Sequence, residues 1–325
     1  MRTRVGDMFR NSLKVLVRID NCIHKRHASS NVAFIGLGQM GARMATNLLK
    51  KGQNIKLKVY DVSPAAAGSV KGAIPCQSAD EAVDGSDVVI TMLPNGGVVK
   101  ETVLGPQGIL KKLSKNAYLL DSSTTGPEVA RDLAKAAQDS GVRFLDTPVS
   151  GGVVGAADGT LTFMVGGSKT DVDVVEPILL TMGKKVLHCG DYGAGQITKL
   201  CNNLILGITM IGTAEALNLG VKLGLDPKLL TSVVNISTGR SWSSDTYNPV
   251  PGVLPNVPAG NNYDGGFSVG LIAKDLGLAE VAALGINAPV PLGAMTHQLF
   301  RTMINHGLAN KDFSVIYKFL SGETK

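Results

Sequence analysis

Short apolar runs alternate with helix-patterned stretches from residue 31 to residue 190. Val32–Ile35, Leu57–Tyr60, Val88–Met92, Tyr118–Asp121, Phe144–Asp146, Thr160–Val165 and Lys185–His188 have the length and composition of buried strands. Gln39–Lys51, Ala79–Val83 and Pro127–Ser140 between them carry helical periodicity. The alternation predicts an α/β fold with a doubly wound, Rossmann-type parallel sheet. Ligands of such sheets lie beyond the carboxyl ends of the strands, which points to the loops Leu93-Pro94-Asn95, Ser122-Ser123-Thr124 and Thr147–Gly152. After Gly195 the texture changes. Gln196–Lys222 reads as one long helix, and Leu200–Ala214 within it carries no charge. Those fifteen residues fall short of the roughly 20 needed to cross a bilayer, so a linking helix buried between packed domains is predicted. Residues 224–237, 271–284, 290–306 and 312–320 read as helices with no clear strand among them, an all-α C-terminal domain. The Pro-, Asn- and Gly-rich span Ser241–Gly266 is long enough for a functional loop. The predicted organisation is a leader over 1–30, a Rossmann domain over 31–192, an interdomain helix over 193–222 and a helical domain over 223–325.

The first strand runs into Gly36-Leu37-Gly38-Gln39-Met40-Gly41, and the second ends in Asp61, twenty residues after Gly41. This is the dinucleotide fingerprint in its structural context. Gly36 permits the tight turn, Gly38 lets backbone approach a pyrophosphate, and Gly41 lets the helix pack close on the strand. The helix N-terminus offers unpaired N–H groups to the phosphates. Asp61 accepts hydrogen bonds from a ribose 2′-hydroxyl and repels a 2′-phosphate, so the expected cofactor is NAD rather than NADP.

Charge changes the picture only at the N-terminus. The net charge is +6, but residues 1–30 hold seven Lys/Arg against two acids, leaving the other 295 residues at +1. A nearly neutral body argues against nucleic acid and against an anionic membrane as partners. The Arg-rich, partly amphipathic leader has the mitochondrial transit pattern. The four cysteines make no CxxC pair and the five histidines no metal spacing, so neither a disulfide framework nor a metal is expected.

Lys199 and Asn203 lie four apart, on one face of the long helix. A lysine at the mouth of an apolar helix is desolvated, which lowers its pKa and suits it to proton transfer near neutral pH. The spacing fits equally a snorkelling lysine and an N-terminal polar pair. The glycines before it, Gly193 and Gly195, would let a ligand or a strand come close. Ser150, Gly151 and Gly152 could form a small anion nest, or simply a glycine-rich connection.

The glycine loop with Met44, Asp146-Thr147-Pro148-Val149-Ser150-Gly151-Gly152, Gly193–Asn203 and Lys274-Asp275-Leu276-Gly277-Leu278-Ala279 occur in this order. Together they resemble the β-hydroxyacid dehydrogenase family over residues 31–320. Ser241–Val253, with Trp242, and the basic leader resemble its mitochondrial 3-hydroxyisobutyrate dehydrogenases. The resemblance implies Lys199 as general acid/base, with Asn203 positioning substrate beside it. It implies that Ser150, Gly151 and Gly152 bind the substrate carboxylate, that Ser122 contributes to the substrate site, and that Thr124 lies at the nicotinamide side. Leu37, Gln39, Met40, Leu93 and Pro94 would line the cofactor. Lys274 would touch cofactor or substrate, Asp275 would support that turn, and Phe267 would cover the pocket. The implied activity is oxidation of a small hydroxy acid, 3-hydroxyisobutyrate, to methylmalonate semialdehyde in valine breakdown. The implied setting is the mitochondrial matrix, as a homodimer or homotetramer. An NADPH-dependent semialdehyde or glyoxylate reductase would carry a base near the ribose, where this chain has Asp61-Val62-Ser63. A 6-phosphogluconate dehydrogenase would need phosphate-binding arginines, and only Arg240 and Arg301 lie in the C-terminal half. A non-catalytic binding or assembly module would be favoured by loss of the lysine, which is present. Relatives place an asparagine four residues beyond Pro94, where this chain has Val98; whether Asn95 substitutes stays open.

Overall fold

The computed structural model describes residues 30–323; the basic leader lies outside the described residues. Strand and helix alternate as β1 (Ser30–Ile35), α1 (Gly41–Lys51), β2 (Ile55–Tyr60), α2 (Pro64–Ser69), β3 (Ile74–Pro75), α3 (Ala79–Val83), β4 (Val88–Thr91), α4 (Gly96–Leu104), β5 (Tyr118–Asp121), α5 (Pro127–Asp139) and β6 (Arg143–Asp146). Then come β7 (Val149–Ser150), α6 (Gly152–Asp158), β8 (Leu161–Gly166), α7 (Lys169–Met182) and β9 (Gly183–Gly190). The sheet order is β3-β2-β1-β4-β5-β6-β8-β7, with β9 beside β8. Its first six strands are parallel. Successive β1 residues serve opposite faces, and Val32 to Ile35 are all buried: Val32 and Phe34 pack with Met44 and Leu48 of α1, whereas Ala33 and Ile35 join Leu119, Leu133 and Phe144. Burial on both faces is what a doubly wound sheet requires of its central strands.

The expected doubly wound parallel sheet is present, with antiparallel pairing added at one edge. β8 runs antiparallel to β6 and to β7, and only β9 is parallel to it. The chain leaves β6 and pairs back through β7 instead of crossing over the sheet on a packed helix, as a parallel continuation would need.

The rest is helical: α8 (Ala194–Lys222), α9 (Pro227–Asn235), α10 (Trp242–Asp245), α11 (Val269–Gly285), α12 (Pro291–Asn305) and α13 (Ile316–Ser321). The expected long loop holds α10 and a 3-10 turn at Pro258–Asn261. α8 packs against β6, β8 and β9 at its start and against all the later helices along its length. Its Met210, Ala214 and Leu217 share a core with Ile272, Leu276, Phe300 and Phe313. Only this one face of α8 is buried, and Ile197, Ile205 and Leu219 are exposed, so the expected helix buried between domains is instead the spine of the helical core with an uncovered apolar face.

Where α8 meets the sheet, glycine is obligatory. A Cβ at Gly195 would overlap the Met164 carbonyl oxygen and lie 2.8 Å from Asp146 Oδ2. Gly195 therefore admits a strand end, and Gly193 (φ +89°) lies against Pro127 and Arg131 of α5.

Two carboxylates lie side by side at that end, Asp121 and Asp146, paired across β5 and β6. Asp121 is fully buried. Its Oδ1 accepts from Thr91 Oγ1 at 2.8 Å and Ser123 N at 3.2 Å, and its Oδ2 has no partner among the described residues. Burial raises its pKa from 3.8 to about 6, opposed by those hydrogen bonds and aided by the Asp146 charge. A carboxyl that holds its proton more tightly when folded destabilises the fold as pH rises through that interval. Asp121→Asn removes this titration. Relative to the variant, the parent is expected to lose on the order of 3 kcal/mol between about pH 4 and pH 7, read from urea denaturation. A gap independent of pH would contradict this assignment.

Candidate active site

The glycine loop is built as a cradle. Gly36 has φ +93°, and a Cβ there would strike the Met92 carbonyl at the end of β4. A Cβ on Gly41 would strike the Gly36 carbonyl, so the loop closes against α1 only without one. At Gly38 a Cβ would meet nothing within 4 Å, and Gly38 and Gln39 are exposed. The backbone at Gly38 is therefore bare toward open space, which fits a pyrophosphate at the start of α1. Met40 precedes the helix without a side-chain cap. Arg43, which the sequence reading passed over, folds back on Gln39, its Nη1 2.7 Å from the carbonyl oxygen and 2.9 Å from Oε1. The signal was available: a base in the first turn of a helix that has no acid there.

Asp61 sits at the tip of β2. Its Oδ2 accepts from Leu37 N at 2.6 Å and its Oδ1 from Ser63 N at 2.8 Å. The carboxylate thus shapes the glycine loop, and each oxygen retains a lone pair for a hydroxyl donor.

The loops after β4, β5 and β6 form the facing wall. Ser123 Oγ accepts from Leu93 N at 2.8 Å, which fixes Leu93-Pro94 against Ser122-Ser123-Thr124. Ser122 itself does not reach the cleft: its side chain is wholly buried and pairs with Thr147 Oγ1 at 2.9 Å. Thr124 is partly exposed. Asn95 caps α4 through Val98 N at 3.0 Å, so its Oδ1 is engaged. Ser150, the last residue of β7, is partly exposed, while Gly151 (φ +135°) and Gly152 (φ +63°) are exposed and open α6. Asn47 of α1 donates to the Ala156 and Ala157 carbonyls at 2.7 and 2.9 Å, and Lys51 to that of Asp158 at 3.2 Å, closing the other end of α6.

The first turn of α8 is held by two side chains that the sequence reading did not single out. Asp146 Oδ1 accepts from Gly193 N at 2.8 Å and its Oδ2 from Gln196 N at 3.0 Å. Gln196, wholly buried, accepts from Thr125 N and donates to the Ser123 carbonyl, both at 2.9 Å. One turn on stands Lys199. It is 8% exposed and makes no hydrogen bond or ion pair among the described residues. Desolvation pulls its pKa below the usual 10.5; Asp275 opposes that and Lys274 adds to it. The snorkelling alternative fails on this burial.

Asn203, 1% exposed, is not bonded to Lys199. Its Nδ2 donates to Asp275 Oδ2 at 2.6 Å and its Oδ1 accepts from Asn202 at 3.0 Å. Asp275 Oδ1 lies 3.3 Å from Lys274 Nζ. Lys274 in turn donates to the carbonyls of Thr124 at 2.9 Å and Pro94 at 3.2 Å, reaching from the helical part to both wall loops. Phe267 is partly buried, edge-on to Phe313 in the helical core. The structure so joins Asn203, Asp275, Lys274 and Thr124 in one network, with Lys199 within reach of the Asp275 and Lys274 charges and the glycine loop and the Ser150–Gly152 turn at the ends of neighbouring strands.

Two family models match the chain: the NAD-binding domain of 6-phosphogluconate dehydrogenase over residues 31–190, and the NAD-binding domain of NADP-dependent 3-hydroxyisobutyrate dehydrogenase over residues 193–320. The mitochondrial 3-hydroxyisobutyrate dehydrogenase of Homo sapiens is 48% identical over 93% of this chain and 90% of its own length. A 3-hydroxyisobutyrate dehydrogenase of Pseudomonas aeruginosa is 47% identical over 90% of this chain and 99% of its own. Among solved structures, the 3-hydroxyisobutyrate dehydrogenase of Mycobacterium tuberculosis with L-serine aligns at TM-score 0.85 and 40% identity, covering 90% of this chain and 99% of that one.

The Lys199 environment carries a signed prediction. Asp275→Asn removes the one charge that raises the lysine's pKa, so the acid limb of its pH–rate profile is expected to move to lower pH. A limb that stays put or moves upward contradicts the assignment of that limb to Lys199.

Proposed function

Since this chain belongs to the 3-hydroxyisobutyrate dehydrogenase family, we propose that it oxidises 3-hydroxyisobutyrate to methylmalonate semialdehyde with NAD, a step of valine breakdown. The single observation that carries the chemistry is a buried lysine without a hydrogen-bonding partner among the described residues, one turn into a helix docked on the strand ends. NAD, when bound, supplies the hydride acceptor. The bare backbone at Gly38 and the start of α1 would hold its pyrophosphate, with Arg43 beside them and Asp61 favouring a free ribose hydroxyl.

Ser150, Gly151 and Gly152 would receive the substrate carboxylate with backbone N–H groups at the mouth of α6. Asn203, its amide oriented by Asp275, would hold the substrate hydroxyl beside Lys199. Neutral Lys199 takes the hydroxyl proton as the carbon–hydrogen bond is lost; in the reverse direction the ammonium returns it. Oxidation needs the uncharged amine, so its rate rises with pH through the lowered lysine pKa, and reduction runs the opposite way. Thr124 and Leu93-Pro94 would border the nicotinamide, with Lys274 holding their loops in register.

The division into a Rossmann domain (31–192), a linking helix (193–222) and a helical domain (223–325) is supported by hydrophobic cores in the sheet that share no residue with the core of α8 and the later helices. Mitochondrial matrix residence is supported by the basic leader and by the names of the animal relatives. A homodimer or homotetramer built through the helical part is supported by exposed Ile205 and Leu219 on α8, Val281 and Leu284 on α11, and Leu292 and Met295 on α12.

NADH absorbance with the purified chain tests the activity. NAD-dependent turnover of 3-hydroxyisobutyrate is expected to exceed that of D-glycerate and 4-hydroxybutyrate; preference for either of those sinks the substrate assignment. Lys199→Ala is expected to lower kcat by at least about 100-fold with NADH still bound, and retained turnover would remove the lysine from the mechanism. Asp61→Asn keeps an acceptor for Leu37 and loses the charge, so the preference for NAD over NADP should narrow. An unchanged ratio of the two dissociation constants contradicts that role.

A further inference from the structure

Lys199 has no hydrogen-bonding partner among the described residues to aim it, so the place of its amine follows from where the first turn of α8 sits. Residues 123–125, bonded to that first turn through Gln196, form a loop with no regular structure of its own. One side chain spans the two. Gln196 lies three residues before Lys199 on the same helix face. Its amide accepts from Thr125 N and donates to the Ser123 carbonyl, thereby flanking Thr124 on both sides. Its own backbone N–H is taken by Asp146. The amide is wholly buried and both of its ends are engaged, so neither α8 nor the loop can shift without leaving a buried polar group unpaired. Ser123 passes the restraint on to Leu93 through its hydroxyl.

We infer that Gln196 is a positioning residue for hydride transfer: its amide sets the separation between the Lys199 amine and the loop at Thr124 that borders the nicotinamide. The inference rests on the dehydrogenase reading above. In that reaction the C–H bond of the hydroxymethyl group delivers hydride to the nicotinamide while the O–H proton goes to Lys199 Nζ, so both acceptors must be in place together. A shift of about 1 Å between such groups can cost about 100-fold in rate. Nothing in this role requires Gln196 to touch substrate or cofactor.

The test uses the full chain and two variants, with 3-hydroxyisobutyrate and the same acid deuterated at the hydroxymethyl carbon. Gln196→Ala is expected to lower kcat at least about tenfold while KM and the NADH dissociation constant stay within about threefold. The deuterium isotope effect on kcat should rise, because hydride transfer becomes the slow step. Gln196→Glu keeps the acceptor for Thr125 but sets a carboxylate oxygen against the Ser123 carbonyl; protonation restores a donor there. Its kcat relative to the parent at the same pH is therefore expected to climb as pH falls. A merely structural role predicts a lower Tm with parental kcat and isotope effect per folded molecule, and a Glu variant whose relative rate ignores pH; that result overturns the inference. If the Ala variant does not fold, the Glu variant decides. If the parent turns over no hydroxy acid, the activity reading falls instead, and a crystal structure of Gln196→Ala decides the bridge: an unmoved α8 and loop would overturn it.

Discussion

The Asp146 carboxylate at the end of β6 is surrounded by positions where a side chain is missing. A Cβ at Gly166 or at Gly195 would occupy its space. Stripped of water, such a carboxylate is expensive, and burial does raise its pKa. What compensates is the start of a 29-residue helix: two N–H groups of α8 point at its two oxygens, and the positive end of the helix dipole lies against it. Bonds of this charge-assisted kind contribute about 1.5–3 kcal/mol each. Because α8 is also the spine of the helical core, the same contact fixes that core relative to the sheet. Lys199, Asn203, Lys274 and Asp275 all take their places from it.

The charges around Lys199 are few and arranged around one acid. Asp275 is shared between Asn203 and Lys274, so its attraction for Lys199 is not a direct ion pair. Desolvation therefore outweighs it, and the lysine pKa falls. A closer carboxylate would have locked an ammonium in place; a more distant one would have left the Lys274 charge acting on Lys199 unopposed. Proton transfer from an alcohol to a lysine near neutral pH asks for the intermediate arrangement.

Much of this was legible along the chain because it is local. Gly36, Gly38, Gly41 and Asp61 declare a backbone path and a charge at set spacing, and the helix phase puts Lys199 and Asn203 on one face. The mouth of an apolar helix told of a desolvated lysine. Ser122 was misjudged because the strand's alternation decides which hydroxyl points inward, and Thr147 takes it. The partners of Asp146 and Gln196 lie 47 to 73 residues away, joined only once the sheet is assembled. The reversal of β8 was hidden for a similar reason. Its apolar run is the same in either direction, and the two-residue β7 that turns it back has no periodicity to read.

Asn47 and Lys51 join the glycine-loop helix to the far end of α6, whose near end is the Ser150–Gly152 turn. The helix that begins at the glycine loop is thus also the abutment for the Ser150–Gly152 turn. The two halves of the cleft are not separable modules. A Ser150–Gly152 turn transplanted from a relative would arrive without the surface that seats it unless positions 47 and 51 travelled with it. Loop grafting on this scaffold therefore has to exchange pieces that lie about a hundred residues apart in the chain.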